Sequence, residues 1–146
     1  PTVEREGYGC ASRIPFVVVR AAGSLGIDLV ALRGDFAFPI EVKASSTRRM
    51  RLSRNRRLME QMDELVCICR PARVLPLYAL RLKGVRNADP WRLFSLPVED
   101  LPPRLKTVMR RIPAFSTTRA GNPVLDWDSG LKLSDFLRYL EYMSER

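Results

Sequence analysis

Asp28, Glu41 and Lys43 are the residues whose types and spacing most suit chemistry at an anionic group. The stretch GIDLVALR (26–33) alternates in character, Gly34-Asp35 supplies turn chemistry, and FAFPIEVKA (36–44) alternates again, which predicts a β-hairpin. With Gly34 and Asp35 as the two turn residues, Arg33 pairs with Phe36, Asp28 falls opposite Glu41, and Gly26 falls opposite Lys43. Side chains alternate between faces along a strand. Asp28, Glu41 and Lys43 therefore share one face, while Ile27, Leu29, Ile40 and Val42 take the other. Two carboxylates set opposite each other repel unless a proton or a cation lies between them. A divalent metal is the economical answer, and an oxygen-only site suits Mg²⁺, with Mn²⁺ as a substitute, since both keep waters and bind phosphate oxygens beside one or two carboxylates. The Lys43 ammonium would then orient a water or offset charge developing on phosphorus. An isolated Glu-x-Lys is common and is ordinarily a surface charge pair, so its surroundings decide the matter.

The elements that must position these residues can be read around them. Val3, Gly7, Cys10, Ala11 and Ile14 form a stripe at helical spacing over residues 3–14, with Glu4, Arg5 and Glu6 in its first turns, although Gly7 and Gly9 weaken that helix. Pro15 ends it, and FVVVR (16–20) reads as a buried strand leading into a loop at 21–25. A helix is predicted over about 55–68, with Leu58, Met62, Leu65 and Val66 on its apolar side. Strands follow at 74–82 and 91–97, joined through KGVRNADP. Pro102, Pro103, Pro113 and Pro123 punctuate what reads as a long irregular region, and a final helix runs through SDFLRYLEYM with Ser134 as its N-cap. Strands interleaved with helices predict an α/β fold.

Composition sets the outer bounds. The 146 residues suffice for one domain with a real core, here read as 1–146, with a core over 1–97 and a C-terminal extension over 98–146. No run approaches the roughly 20 apolar residues of a membrane span, and PTVEREGYG lacks the basic start and apolar stretch of a secretory signal. A cytoplasmic protein is expected. Three cysteines and no histidine exclude a paired disulfide framework and a His-containing zinc site. The formal charge of +9 indicates a polyanionic partner.

Context then sharpens the Glu-x-Lys. Asp in GID (26–28), a short hairpin, and IEVK (40–43) in the next strand resemble the PD-(D/E)xK nuclease superfamily. Glu4-Arg5-Glu6, Val18-Val19-Arg20, Ala22-Gly23-Ser24, Asp28-Leu29-Val30-Ala31 and Ile40-Glu41-Val42-Lys43 follow in the order and spacing of the archaeal-type Holliday junction resolvases. The resemblance implies a restriction-endonuclease-like core, with a central mixed sheet of about five strands flanked by helices. It implies that Glu4, Asp28 and Glu41 bind the metal, that Lys43 is the catalytic lysine, that Ser24 acts near the cleaved phosphate, and that Arg5 and Arg20 contact the DNA. It also implies a homodimer acting on four-way junctions, for which the helix at 55–68 and the strand pair at 74–97 offer apolar surface. Two features depart from the family pattern: the segment after Lys43 is longer and richer in arginine, and residues 103–123 look like an insertion.

Arg48, Arg49, Arg51, Arg54, Arg56 and Arg57 lie in that basic segment, which reads as an exposed connection contacting phosphates rather than only a solvated face. Cys67 and Cys69 read as buried small hydrophobes, and Trp91 and Trp127 as packing residues rather than base-stacking platforms. The expected activity is Mg²⁺-dependent cleavage of branched DNA. The alternatives are a nuclease of the same superfamily acting on another DNA structure, and a non-catalytic DNA-binding module.

Overall fold

Gly34 takes a left-handed backbone at φ +56°, where glycine alone carries no Cβ penalty, and the hairpin folds about it. The computed structural model describes Gly9 and residues 15–21, 26–52 and 56–144. In it β2 (Leu29–Arg33) and β3 (Phe36–Ser45) pair antiparallel with Arg33 opposite Phe36 and Leu29 opposite Ile40, the register read from the turn. The Asp28 N–H donates to the Ile40 carbonyl at 3.0 Å, which carries the pairing one residue past β2.

Around this hairpin a mixed sheet forms in the order β1-β2-β3-β5-β6-β9. It contains β1 (Val17–Arg20), β5 (Leu77–Leu82), β6 (Trp91–Ser95) and β9 (Leu131–Lys132). β3 and β5 are parallel, and the crossover this requires contains α1 (Arg56–Ala72). The sheet has six strands rather than about five because β9, two residues long, is too short to show an alternating pattern. Phe36 and Phe38 stack on one face, and Phe38 meets Phe136 of α3 (Leu133–Ser144) edge-on at 5.6 Å. α2 (Pro103–Arg111) lies beside α3, with the Arg111 guanidinium 5.2 Å from the Tyr139 ring. Arg104 of α2 reaches the hairpin, 3.1 Å from the Asp35 carboxylate and 4.9 Å from the Phe36 ring. Alternation along β3 puts Glu41 on the opposite face, where Tyr78, Phe94 and Phe115 cluster.

Several expectations are corrected. β1 is not buried: Val17, Val18 and Val19 are 63%, 57% and 50% exposed on an edge strand, because β-branched residues report extended backbone and not depth. The proline-punctuated region contains α2, with Pro103 at a first-turn position that needs no N–H and Leu105, Val108 and Ile112 buried at helical spacing. α1 continues past Ile68 to Ala72 and ends where Arg73 turns left-handed, its N–H donating to the Arg70 carbonyl. Cys69 is buried, with its thiol pushed up to about 11 by desolvation, whereas Cys67 is exposed. Ser134 is a buried residue inside α3 and not its N-cap. The Asp89 carboxylate, distant in sequence, accepts the Ser134 N–H at 2.9 Å.

The basic segment also differs from an irregular connection. β4 (Arg49–Arg51) lies within it and pairs with β8 (Pro123–Asp126), which pairs with β7 (Ser116–Thr117). The basic segment after Lys43 thus meets residues 116–117 and 123–126 in one small second sheet. Residues 98–146 are likewise woven into the main sheet, since β9 pairs with β6.

Candidate active site

Strand alternation on β3 places Glu41 and Lys43 side by side, and the Lys43 Nζ lies 2.9 Å from Glu41 Oε1. Asp28 sits where β2 begins. Its Oδ2 accepts the Val42 N–H at 2.7 Å, which fixes the carboxylate against β3 beside Glu41. Burial is the main reason the Glu41 carboxyl is held above its ordinary range. The Lys43 hydrogen bond and charge oppose this, while the charge of Asp28 and a hydrogen bond shared with it push the same way. Two carboxylates set close together favour a cation between them.

The donor set fits a divalent ion of the magnesium kind. Asp28 commits Oδ2 to the backbone and Glu41 commits Oε1 to Lys43, so each carboxylate has a second oxygen to offer. Two carboxylates suffice for an ion that retains several waters; among the described residues no three His, Cys, Asp or Glu side chains come together to hold a metal, at this site or elsewhere.

Not every candidate residue can be placed. Glu4, Arg5, Ser24 and Arg54 lie outside the described residues. Arg20 closes β1 opposite Leu29, next to Asp28, and is exposed. The arginine run divides. Arg48 is exposed, ion-paired with Asp128 and 5.1 Å from the buried Trp127 ring. Arg49 and Arg51 alternate onto one side of β4 and are exposed, Arg56 pairs with Glu60 at 3.3 Å while staying in solvent, and Arg57 is exposed. Trp127 is also covered by the Arg92 guanidinium at 3.8 Å and donates its indole N–H to the Pro90 carbonyl, a packing role.

Tyr78, which the sequence did not single out, stands next to Glu41 in the sheet. It pairs with Glu41 across β3 and β5, is 1% exposed, and packs 5.1 Å from the Phe115 ring. Burial, then the charges of Glu41 and Asp28, push its phenol above the ordinary range. The strand itself was legible in LPLYAL. Its register against β3 was not, because a parallel partner arrives through a long crossover that fixes no pairing in sequence.

An Asp and a Glu-x-Lys brought together at the base of a hairpin in a mixed α/β sheet define the PD-(D/E)xK class of nucleases. The model of the archaeal Holliday junction resolvase family matches residues 2–144, and the chain belongs to that family. Among solved structures it is similar to the Holliday junction resolvase Hjc of Archaeoglobus fulgidus, with 21% identity over 94% of this chain and 93% of that one and a TM-score of 0.56, a likeness of fold. No curated protein matches it. Membership brings endonuclease activity, dependence on a divalent metal, and branched DNA as the partner.

Proposed function

We propose that this chain resolves four-way DNA junctions by Mg²⁺-dependent phosphodiester hydrolysis, with Mn²⁺ able to substitute, at a centre built from Asp28, Glu41 and Lys43 and completed by Glu4. The observation that carries this is the Lys43 ammonium 2.9 Å from the Glu41 carboxylate on β3, with the Asp28 carboxylate fixed against the same strand by the Val42 N–H. Asp28 and Glu41 would hold the ion, each having an oxygen that neither the backbone nor Lys43 occupies, and the ion would supply Lewis-acid chemistry to the phosphoryl group and to a water. Lys43 donates to the entering water or to the charge developing on phosphorus. Ser24, Arg5 and Arg20 contact the phosphates near the cut, and the exposed Arg49, Arg51, Arg56 and Arg57, with Arg54, follow the backbone of an arm.

Two opposed strands must be nicked to resolve a junction, and a C₂ homodimer supplies two equivalent sites. β5 and β6 are interior strands and offer little interface. Among the described residues the exposed large apolar side chains are Val17, Val18, Val19 and Leu32 along the β1 edge, Ile68 of α1, and Tyr142. No helix among the described residues is long and apolar enough to cross a membrane. A cytoplasmic site of action accords with a DNA substrate. A panel of four-way junction, flap, Y-fork and plain duplex, each with Mg²⁺, tests the reading: preferential paired nicking of the junction is expected. Equal cutting of all four would make this a nuclease of broader selectivity, and cutting of none would leave only a DNA-binding module.

A further inference from the structure

We propose that the β7–β8 hairpin is a second DNA contact, laid against a duplex arm of the substrate with Arg119 at its tip on the phosphates. The proposal rests on branched DNA as the partner and on none of the metal-site residues.

It starts from where acidic residues are missing. Between Glu41 and Glu60, and again between Asp100 and Asp126, the chain has no Asp or Glu, although an even spread of the 16 acidic residues would put several there. The first run carries Lys43 and six arginines, and the second carries Arg104, Lys106, Arg110, Arg111 and Arg119. The second sheet brings the two runs together, with Arg49 opposite Asp126 and Arg51 opposite Val124. The Leu52 N–H donates to the Pro123 carbonyl at 3.3 Å, which carries the pairing on toward the hairpin tip. Arg49, Arg51 and Arg119 thus follow one another outward along the sheet, all exposed. From the level of Arg49 to the tip is roughly 15 Å at about 3.3 Å per residue, so Arg119 meets a phosphate that Arg49 and Arg51 do not reach.

The hairpin is anchored. Val124 and Leu125 are fully buried, and Phe115, just before β7, packs on the Tyr78 ring at 5.1 Å and the Phe94 ring at 5.8 Å. The tip closes through the Thr118 N–H on the Asn122 carbonyl and the Gly121 N–H on the Thr118 carbonyl, both 2.9 Å, and the Asn122 N–H on the Thr118 hydroxyl at 3.2 Å. Nothing lies within 4 Å of where a Cβ on Gly121 would stand, so the tip projects into open space. The carboxylates at the hairpin base are engaged: Asp128 is ion-paired with Arg48, and Asp126 accepts the Asp128 N–H at 3.3 Å. A cation on a fixed, projecting ribbon, in a surface free of carboxylates along two long runs, complements a polyanion, and a two-stranded ribbon is narrow enough to lie in a groove of duplex DNA.

The test is Arg119→Gln, a change at an exposed turn position. Binding to an intact four-way junction is followed by anisotropy at several salt concentrations in Ca²⁺, with hydroxyl-radical footprints of the same complexes. The salt dependence should be shallower than the parent's by about 0.9 units, the worth of one phosphate contact. One patch of protection on an arm should be lost while protection at the branch point stays. Arg70→Gln makes the same charge change on α1, which leads into the end of β5 opposite the one level with Ser45, and should leave slope and footprint as in the parent. Equal slopes and footprints in Arg119→Gln and parent overturn the proposal while leaving the junction as substrate. Equal losses in Arg119→Gln and Arg70→Gln also overturn it, since they report net charge alone. So does weaker self-association of Arg119→Gln in sedimentation with an unchanged slope, which would make the hairpin a contact with a second copy of the chain. A parent protein that binds no junction removes the substrate reading and the proposal together.

Discussion

Replacing Lys43 with Met keeps most of the aliphatic bulk but removes the ammonium 2.9 Å from Glu41. Glu41 then loses both influences that lower its pKa and keeps those that raise it, burial foremost and Asp28 after it. Breaking a buried pair by removing one partner costs about 3–5 kcal/mol when the orphaned charge cannot relax. The Lys43 side chain is 21% exposed against 9% for Glu41, so water already shares the work and about 2 kcal/mol is the reasonable scale. That cost can be escaped by protonation, which fixes the sign. A carboxyl raised in the folded state contributes stability that is fully present below its unfolded pKa and is lost as pH rises through the folded one. The stability gap between Lys43→Met and parent should therefore be small near the ordinary value of 4.5 and widen as pH climbs. Urea denaturation of metal-free protein from about pH 4.5 to pH 8 measures it. Saturating Mg²⁺ should narrow the gap at the alkaline end, since a cation beside Glu41 replaces the compensation that Lys43 gives the parent and so stabilises the variant more. Junction cleavage should fall about 10²-fold in the same variant. A gap that is constant with pH, or that narrows as pH rises, would refute the assignment of Glu41 as a carboxylate restrained by Lys43.

Other substitutions separate the remaining parts of the structure. Glu41→Gln should stabilise the metal-free protein at neutral pH, because it removes a buried charge, and should abolish thermal stabilisation by Mg²⁺ while leaving junction binding in Ca²⁺ intact. Joint replacement of Arg49 and Arg51 by Gln should shallow the salt dependence of junction binding by about 1.8 units, at about 0.9 per phosphate contact. Arg48→Gln, which loses its Asp128 partner, should leave that slope unchanged, and anisotropy titrations at several salt concentrations tell the two apart. Gly130→Ala would set a Cβ 2.6 Å from the Arg92 Cβ and 2.8 Å from the Phe94 ring, so it should cost about 1–3 kcal/mol in denaturation without changing metal affinity.

How much of this could be read beforehand varies by element for physical reasons. The hairpin register followed from Gly34-Asp35, since a two-residue turn leaves one pairing in which both strands keep their faces, and that brought Asp28, Glu41 and Lys43 together. α2 was hidden because its prolines read as breakers, although Pro103 begins the helix and Leu105, Val108 and Ile112 already showed the spacing. The burial of β1 was misjudged because position in a sheet order is a tertiary property that Val17, Val18 and Val19 do not encode. The second sheet joins residues 49–51 to residues 123–126, a pairing across more than seventy residues of sequence, and it alone shows that Arg48 is ion-paired with Asp128 while Arg49 and Arg51 face solvent. Tyr78 looked like ordinary strand composition until its partner was known.

The most direct test of the account is the cleavage of an immobile four-way junction, labelled on each strand in turn, by parent, Asp28→Asn and Glu41→Gln proteins with Mg²⁺ and with chelator. The account predicts nicks in two opposed strands, symmetric about the branch point, made only by the parent and only with Mg²⁺, while all three proteins bind the junction in Ca²⁺. Cleavage by Glu41→Gln at the parent rate, or an uncut junction that the parent binds tightly in Mg²⁺, would contradict it.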